Sequence, residues 1–267
     1  MGVPYAEVIG DPVAHSKSPA IHAYWLEQLG IPGEYRATRV TADELPGYFD
    51  TRRADPDWRG CNLTMPLKEA AFGLVDANGP ARRIGAVNTV VRHEQLLIGS
   101  NTDGPGLSAA VDMGSLRPKR VAIIGAGGAA RAALEEMRLF RVPALFLFNR
   151  SADKAAALLA RFELEGEVLP FGAVPPVDLL INASPLGMAG HPALDLDLSR
   201  LEPGATVLDM VYDPLETPLL RAARARGLKV VDGLTMLIHQ ASMAFVQFFR
   251  QPPDPAGFPE LRERLTS

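Results

Sequence analysis

Two sets of residues in this 267-residue chain have the types and spacing that chemistry requires. The first is a run rich in glycine and alanine, Val121-Ala122-Ile123-Ile124-Gly125-Ala126-Gly127-Gly128-Ala129-Ala130-Arg131. An apolar strand runs into a glycine turn, and an alanine-rich helix follows. Gly125 and Gly127 permit the backbone of that turn and let a pyrophosphate approach closely, while Ala130 takes the small third position of the G-x-G-x-x-G/A pattern. The helix beginning at Gly128 would offer N–H groups and its positive dipole end to phosphates. A bare glycine triplet is also found in ordinary turns. The strand–turn–helix setting is what makes this one a dinucleotide site.

The next apolar strand ends at Asn149-Arg150-Ser151, with Lys154 just beyond. An NAD site usually places an acid there for the ribose 2′-hydroxyl. Here no acid precedes Asp153. Arg150 suits a 2′-phosphate through charge-assisted hydrogen bonds, Asn149 and Ser151 can donate to it, and Lys154 adds charge. NADP is therefore the expected cofactor. The ordinary account makes Arg150 a solvated loop cation.

The second set is polar and punctuates strand ends: His15-Ser16-Lys17-Ser18, Asn62-Leu63-Thr64-Met65-Pro66-Leu67-Lys68, Asn88-Thr89 and Asn101-Thr102-Asp103-Gly104. Taken singly, each has an ordinary account. Ser18 caps a helix, Lys68 is a surface lysine in a first helical turn, and Asp103 caps the next helix.

The elements that must hold these groups alternate strand and helix from end to end. Strands are expected at 6–10, 34–40, 58–65, 120–125, 144–149, 177–183, 206–212 and 229–232. Helices are expected at 19–29, from Thr41 or Asp43 to about Thr51, from Pro66, and at 104–113, 128–140, 151–162, 234–249 and 259–265. Ser18 is the expected cap of the first helix and Gly30 its stop. Residues 87–92 and 95–99 read as a hairpin around His93-Glu94. Alternation favours a mainly parallel sheet with helical crossovers, to which the hairpin adds an antiparallel portion. The turn-rich stretch 114–119 precedes a second α/β series whose continuous apolar runs suit strands buried on both faces. The fold class is α/β in two domains, a substrate domain of residues 1–102 plus 237–267 and a Rossmann-like dinucleotide domain of residues 103–236. The last helices return to the first domain, which puts a cleft between the two.

Bulk composition narrows the function classes. Basic residues number 27 and acidic residues 31, for a net charge of −4 with no long basic run, which argues against nucleic acid and anionic membranes as partners. The single cysteine, Cys61, cannot form an intrachain disulfide, which fits a reducing compartment. It reads as a small buried strand residue, with a reactive thiol as the alternative. The N-terminus carries no secretory pattern, and no apolar run approaches a membrane span. A cytoplasmic protein is expected, as a monomer or homodimer. The five histidines lack ligand-like spacing, so no metal is expected.

Together, Ser16-Lys17-Ser18-Pro19, the 62–68 run, Gly85-Ala86-Val87-Asn88-Thr89, Gly99-Ser100-Asn101-Thr102-Asp103-Gly104 and the glycine turn resemble the shikimate dehydrogenase family in order and spacing. So do Asn182-Ala183-Ser184-Pro185-Leu186-Gly187-Met188, Asp209-Met210-Val211-Tyr212 and Asp232-Gly233-Leu234-Thr235-Met236-Leu237 through Gln240. The resemblance runs from about residue 7 to 245. It departs at Ser151, where many members have threonine, and near Lys154, where they have arginine. Lysine keeps the charge and loses the bidentate fork.

The resemblance implies NADPH-dependent, reversible reduction of 3-dehydroshikimate to shikimate in aromatic amino-acid biosynthesis. It makes Lys68 the general acid/base and Asp103 its orienting partner, which also binds a substrate hydroxyl. Ser16, Ser18 and Tyr212 would bind the substrate carboxylate, and Thr64, Asn88 and Gln240 the ring hydroxyls. Asn62 would fix the loop carrying Thr64. Gly125, Ala126, Gly127, Gly128 and Ala129 would hold the pyrophosphate, and Met210 and Gly233 would line the nicotinamide pocket. Two rivals share parts of this pattern. One is a quinate/shikimate dehydrogenase with relaxed substrate or NAD use. The other is a non-catalytic dinucleotide sensor, which would not need Lys68 and Asp103.

Overall fold

The computed structural model describes residues 2–64 and 66–267. Met65, where one strand was expected to end, lies outside the described residues, as does Met1. The chain divides into two compact units. Unit 1 is Met1–Thr102 with Gln240–Ser267, and unit 2 is Asp103–His239.

Unit 1 begins with β1 (Tyr5–Gly10), α1 (Ser18–Gln28), β2 (Glu34–Arg39), α2 (Leu45–Ala54), β3 (Trp58–Leu63) and α3 (Leu67–Ala70). It continues with β4 (Asp76–Ala77), α4 (Gly79–Ile84), β5 (Thr89–His93) and β6 (Leu96–Ser100). The sheet order is β2-β1-β3-β5-β6-β4. β1 lies parallel to both β2 and β3, whereas β5 runs antiparallel to β3 and β6 as the expected hairpin. One face of the sheet buries Ile9, Cys61, Leu63, Val90 and Leu97 against Leu45, Phe49 and Ala81. The other buries Ala6, Val8 and Tyr35 against Ala244 and Phe248. Cys61 is fully buried, and desolvation pushes its thiol pKa up, so it is a core residue.

Unit 2 contains α5 (Asp103–Ala110), α6 (Met113–Leu116), β7 (Arg120–Ile124), α7 (Gly128–Leu139), β8 (Ala144–Phe148) and α8 (Ala152–Arg161). After these come β9 (Glu167–Leu169), β10 (Leu179–Asn182), β11 (Thr206–Asp209), α9 (Pro218–Ala225) and β12 (Lys229–Val231). The parallel sheet has the order β12-β11-β10-β7-β8-β9. The chain builds outward from β7 to β9, then crosses back to place β10 on the other side of β7. That reversal is the switch point at which open α/β sheets bind ligands. Successive residues of β7 enter opposite cores: Val121 and Ile123 pack with Leu134 and Leu147, and Ala122 and Ile124 with Leu180 and Val207. α10 (Gly233–Phe249) starts in unit 2 and ends in unit 1, and α11 (Phe258–Thr266) follows.

Several local expectations are corrected. Ser18 does not cap α1: Lys17 is the cap residue, and the Ser16 hydroxyl accepts the Ser18 N–H at 3.2 Å, drawing Ser18 into the helix. Neither Thr41 nor Asp43 is the cap of α2, which is Glu44. Its carboxylate instead accepts the Thr41 N–H at 2.8 Å, closing a turn ahead of the helix. The 104–113 helix breaks at Asp112, whose φ of 50° starts the short α6. β11 stops at Asp209 because the Asp209 carboxylate accepts the Val211 N–H at 3.1 Å and turns the chain.

Candidate active site

In unit 1 the expected substrate residues gather at one edge of the sheet, where β1 and β3 end. Ile9 pairs with Leu63, and the Thr64 N–H donates to the Ile9 carbonyl at 3.0 Å, which places Thr64 beside the loop after β1. The Leu63 N–H donates to the Asn88 carbonyl at 2.8 Å, and Val87 N–H donates to the Lys68 carbonyl at 2.9 Å. Asn88 and Lys68 therefore flank the same strand end. Ser16 is half-buried and Ser18 buried; Thr64 and Lys68 are half-buried. The antiparallel hairpin brings β6 back to this edge, since Thr89 pairs with Ser100 and Thr102 follows. Gln240, on α10, completes the group.

Side chains tie this edge together. Tyr35 donates to Asn62 Oδ1 at 2.6 Å, and Asn62 Nδ2 donates to Thr89 Oγ1 at 2.9 Å. Asn88 Oδ1 accepts from Thr89 Oγ1 at 3.0 Å and from the Thr102 N–H at 2.8 Å. Asn88 Nδ2 donates to Thr102 Oγ1 at 2.9 Å and faces Gln240 Oε1 at 3.4 Å. All six residues are buried. Asn62 thus joins β3 to β5 and to Tyr35, rather than holding Thr64 directly. Sequence reasoning quoted Thr89 and Thr102 within their motifs and assigned them no part. It gave no signal for Tyr35, whose partner lies 27 residues away.

In unit 2 the expected cofactor residues lie at the C-terminal ends of the parallel strands. Gly125 follows β7 with φ of +114°, and a Cβ there would stand 2.9 Å from the Ala183 carbonyl oxygen, at the switch point beside β10. A Cβ at Gly127 would meet nothing within 4 Å, and one at Gly128 only the far end of Arg131. α7 begins at Gly128 with no side-chain cap. The turn is thus tight on its sheet side and open on its outer side, where Ala126 and Ala129 are half-buried, which fits a phosphate-sized group.

Arg150 and Lys154 are exposed after β8, and among the described residues neither side chain has an ion-pair partner. Asn149 Nδ2 donates to the Ser151 carbonyl at 2.8 Å, shaping the loop. Ser151 caps α8 by accepting the Lys154 N–H at 3.4 Å, which leaves its hydroxyl proton to offer to an anion. This donor set, with a guanidinium and no carboxylate before Asp153, fits a 2′-phosphate.

Met210, Tyr212 and Gly233 follow β11 and β12. A Cβ at Gly233 would sit 2.5 Å from the carbonyl oxygens of both Met210 and Val211, so glycine is required for this close approach. Asp209, fully buried, accepts from Asn182 Nδ2 at 2.8 Å and Thr217 Oγ1 at 2.6 Å, fixing the loops after β10 and β11. Burial raises its pKa against these donors. Burial and the Asp213 charge raise the Tyr212 pKa, keeping its hydroxyl a donor. Asp103 is buried at the first turn of α5, where the helix dipole favours a carboxylate. Among the described residues no group of His, Cys, Asp and Glu is arranged to hold a metal, and no helix is long and apolar enough to cross a membrane.

Residues 8–90 match the family described as the shikimate dehydrogenase substrate binding domain. The NADP(+) shikimate dehydrogenase of Sphingopyxis alaskensis is 53% identical, over 99% of this chain and 97% of its own. The crystal structure of shikimate 5-dehydrogenase from Thermus thermophilus, in complex with NADP(H) and shikimate, superposes with a TM-score of 0.86 at 40% identity, covering 98% of this chain and 99% of that one. Ligand-free 5-ketofructose reductase of a Gluconobacter species superposes at 0.91 with 30% identity, covering 99% of each chain. With a full-length relative at that identity and the polar motifs collected at one sheet edge, the chain belongs to the shikimate dehydrogenase family.

Proposed function

We propose that this protein catalyses the reversible NADPH-dependent reduction of 3-dehydroshikimate to shikimate, a step of aromatic amino-acid biosynthesis. One observation carries the reading: unit 1 gathers Ser16, Thr64, Lys68, Asn88 and Gln240 around the ends of β1 and β3, a hydroxyl-, amide- and ammonium-rich set suited to a polyhydroxylated carboxylate. Unit 1 is the substrate domain in this reading and unit 2 the NADP-binding domain.

When bound, NADPH supplies a hydride to the ketone carbon. The carbonyl oxygen gains negative charge in that step and must be protonated. Lys68 delivers the proton as general acid, and its charge stabilises the developing alkoxide. Asp103 accepts from a substrate hydroxyl and, as the family resemblance implies, serves as the orienting partner of Lys68. Ser16, Ser18 and Tyr212 donate to the carboxylate, and Thr64, Asn88 and Gln240 bind the ring hydroxyls. Gly125 through Ala129 would hold the pyrophosphate, and Asn149, Arg150, Ser151 and Lys154 the 2′-phosphate. Met210 and Gly233 would line the nicotinamide pocket. A cytoplasmic location agrees with the lone buried cysteine.

The test is an absorbance assay of reduced cofactor with shikimate and NADP, with NAD, quinate and 5-ketofructose reductase substrates in parallel. Rapid reduction of NADP with shikimate, and little with the others, is the expected result. Equal turnover with NAD and quinate would replace this reading with the relaxed dehydrogenase. No turnover from a folded protein that binds NADP would replace it with the sensor.

A further inference from the structure

The buried hydrogen-bond chain of unit 1 has a direction, and two backbone groups set it. The Asn88 carbonyl can only accept, and it faces Asn62 at 3.2 Å, so the Asn62 atom there is Nδ2. The Thr102 backbone N–H can only donate, and it faces Asn88 at 2.8 Å, so the Asn88 atom there is Oδ1.

The remaining protons follow from these two assignments. Asn62 Nδ2 donates to Thr89 Oγ1, so the Thr89 hydroxyl passes its own proton to Asn88 Oδ1. Asn88 Nδ2 donates to Thr102 Oγ1, whose proton has two acceptors in reach, Gln240 Oε1 at 3.1 Å and Asn88 Oδ1 at 3.3 Å. Asn88 Oδ1 already accepts from Thr89 and the Thr102 N–H, so the nearer Gln240 oxygen takes it. Reversing the Gln240 amide would set its N–H groups against Asn88 Nδ2. At the other end, Asn62 Oδ1 can only accept, so Tyr35 must donate. The Tyr35 ring is stacked on buried His22, centroids 3.8 Å apart and 10° from coplanar, which fixes the hydroxyl at the head of the chain. Burial raises the phenol pKa, so the proton stays in place.

We infer that Tyr35 and Thr89 are positioning residues, which lock the amides of Asn88 and Gln240 so that Gln240 meets the substrate as a donor through Nε2. The ligand oxygen opposite Gln240 must then offer a lone pair, which is a specificity rule for that ring position. The inference rests on the shikimate dehydrogenase reading in taking a ring hydroxyl as that oxygen. Because the amides are ordered by the fold, binding need not order them.

The test uses Tyr35→Phe and the near-isosteric Thr89→Val, with Thr89→Ser as the conservative rescue. Shikimate KM and kcat are measured at saturating NADP, and side-chain amides are followed by 15N–1H NMR. In Tyr35→Phe and Thr89→Val, KM should rise about five- to tenfold with kcat nearly unchanged, the scale expected when one buried hydrogen-bonding group loses its partner. NADP affinity should hold, the Asn88 and Gln240 amide signals should shift and exchange faster, and Thr89→Ser should restore both readouts. A fall in kcat in proportion to lost folded protein, at constant KM, would overturn the inference, as would unmoved amide signals. If wild-type protein does not oxidise shikimate but the variants still move the Asn88 and Gln240 signals, the substrate reading falls and the lock stands.

Discussion

Unit 1 and unit 2 present their polar groups in opposite ways. At the edge of the unit 1 sheet the working atoms belong to side chains: the Lys68 ammonium, the Asn88 and Gln240 amides, and hydroxyls at Ser16 and Thr64. At the switch point of unit 2 the glycine turn works by leaving side chains out, at Gly125, Gly127 and again at Gly233. A site made of side chains depends on a supporting set that fixes each rotamer. A site made of backbone depends on nothing intruding.

Two buried glutamates draw the same contrast. Glu7, on β1, accepts from Thr38 at 2.6 Å, Tyr48 at 2.7 Å and both arms of the Arg52 guanidinium at 2.7 and 3.0 Å. Burial opposes its charge, but these donors prevail and hold its pKa below the ordinary 4.5. Glu136, on α7, has the Ser108 hydroxyl as a close partner. Burial raises its pKa, and the nearby Glu135 charge adds to the effect.

Removing one side chain should produce the largest difference between the units. Lys68→Ala should lower kcat by roughly a thousandfold, the scale of a lost general acid. NADP affinity, measured by fluorescence titration, should stay as in wild type. A variant as active as wild type would remove Lys68 from the mechanism.

The glutamates sharpen the comparison next. Glu7→Gln leaves Arg52 facing a neutral amide and should cost about 3 kcal/mol at pH 7, read from urea midpoints. The sign with pH follows from the direction of each shift. Glu7 contributes its stability above pH 4.5, and that contribution is lost as pH falls through its depressed pKa. The Glu7→Gln penalty should therefore shrink in acid. Glu136 behaves in reverse: its contribution is present below pH 4.5 and is lost as pH rises through its raised pKa. Glu136→Gln should gain on wild type as pH rises. Parallel pH profiles for the two variants would break the contrast.

The smallest effect is expected at the exposed loop after β8. Arg150→Ala should cut the preference for NADP over NAD by about tenfold, the low end for one charge-assisted contact. The ratio of kcat/KM values for the two cofactors measures it. An unchanged ratio would make Arg150 a solvated loop cation.

Legibility in the sequence follows the same division. The turn at Gly125 and the Asn149-Arg150-Ser151 loop are local patterns, so spacing alone exposed them. The two-sided burial of β7 was equally plain in Val121-Ala122-Ile123-Ile124. The support under Asn88 was not legible, because Tyr35, Asn62 and Gln240 are distant in sequence and meet only when three strands and α10 have packed. The strands β4 and β9 span two and three residues, too short to show a period. Two further helix caps are local in the sequence. Thr217-Pro218 begins α9, with Thr217 accepting the Leu220 N–H at 3.2 Å, and Asn78 caps α4 by accepting from Ala81 at 3.0 Å. The Ser18 cap failed for a local reason, since the hydroxyl two residues upstream took the N–H that marks the helix start.

The chain leaves unit 1 at Thr102 and returns at Gln240. A ribosome reading this message therefore finishes the entire second unit before it delivers the last member of the buried hydrogen-bond chain. Until α11 emerges, Lys17 also lacks the Leu265 carbonyl that it reaches at 2.9 Å, and Trp25 lacks Phe258. The first-made sheet must wait, incompletely covered, for the last-made helices. Unit 2, continuous in the message, needs no such delay, so a nascent chain should gain protease resistance in its middle before it gains it at its beginning.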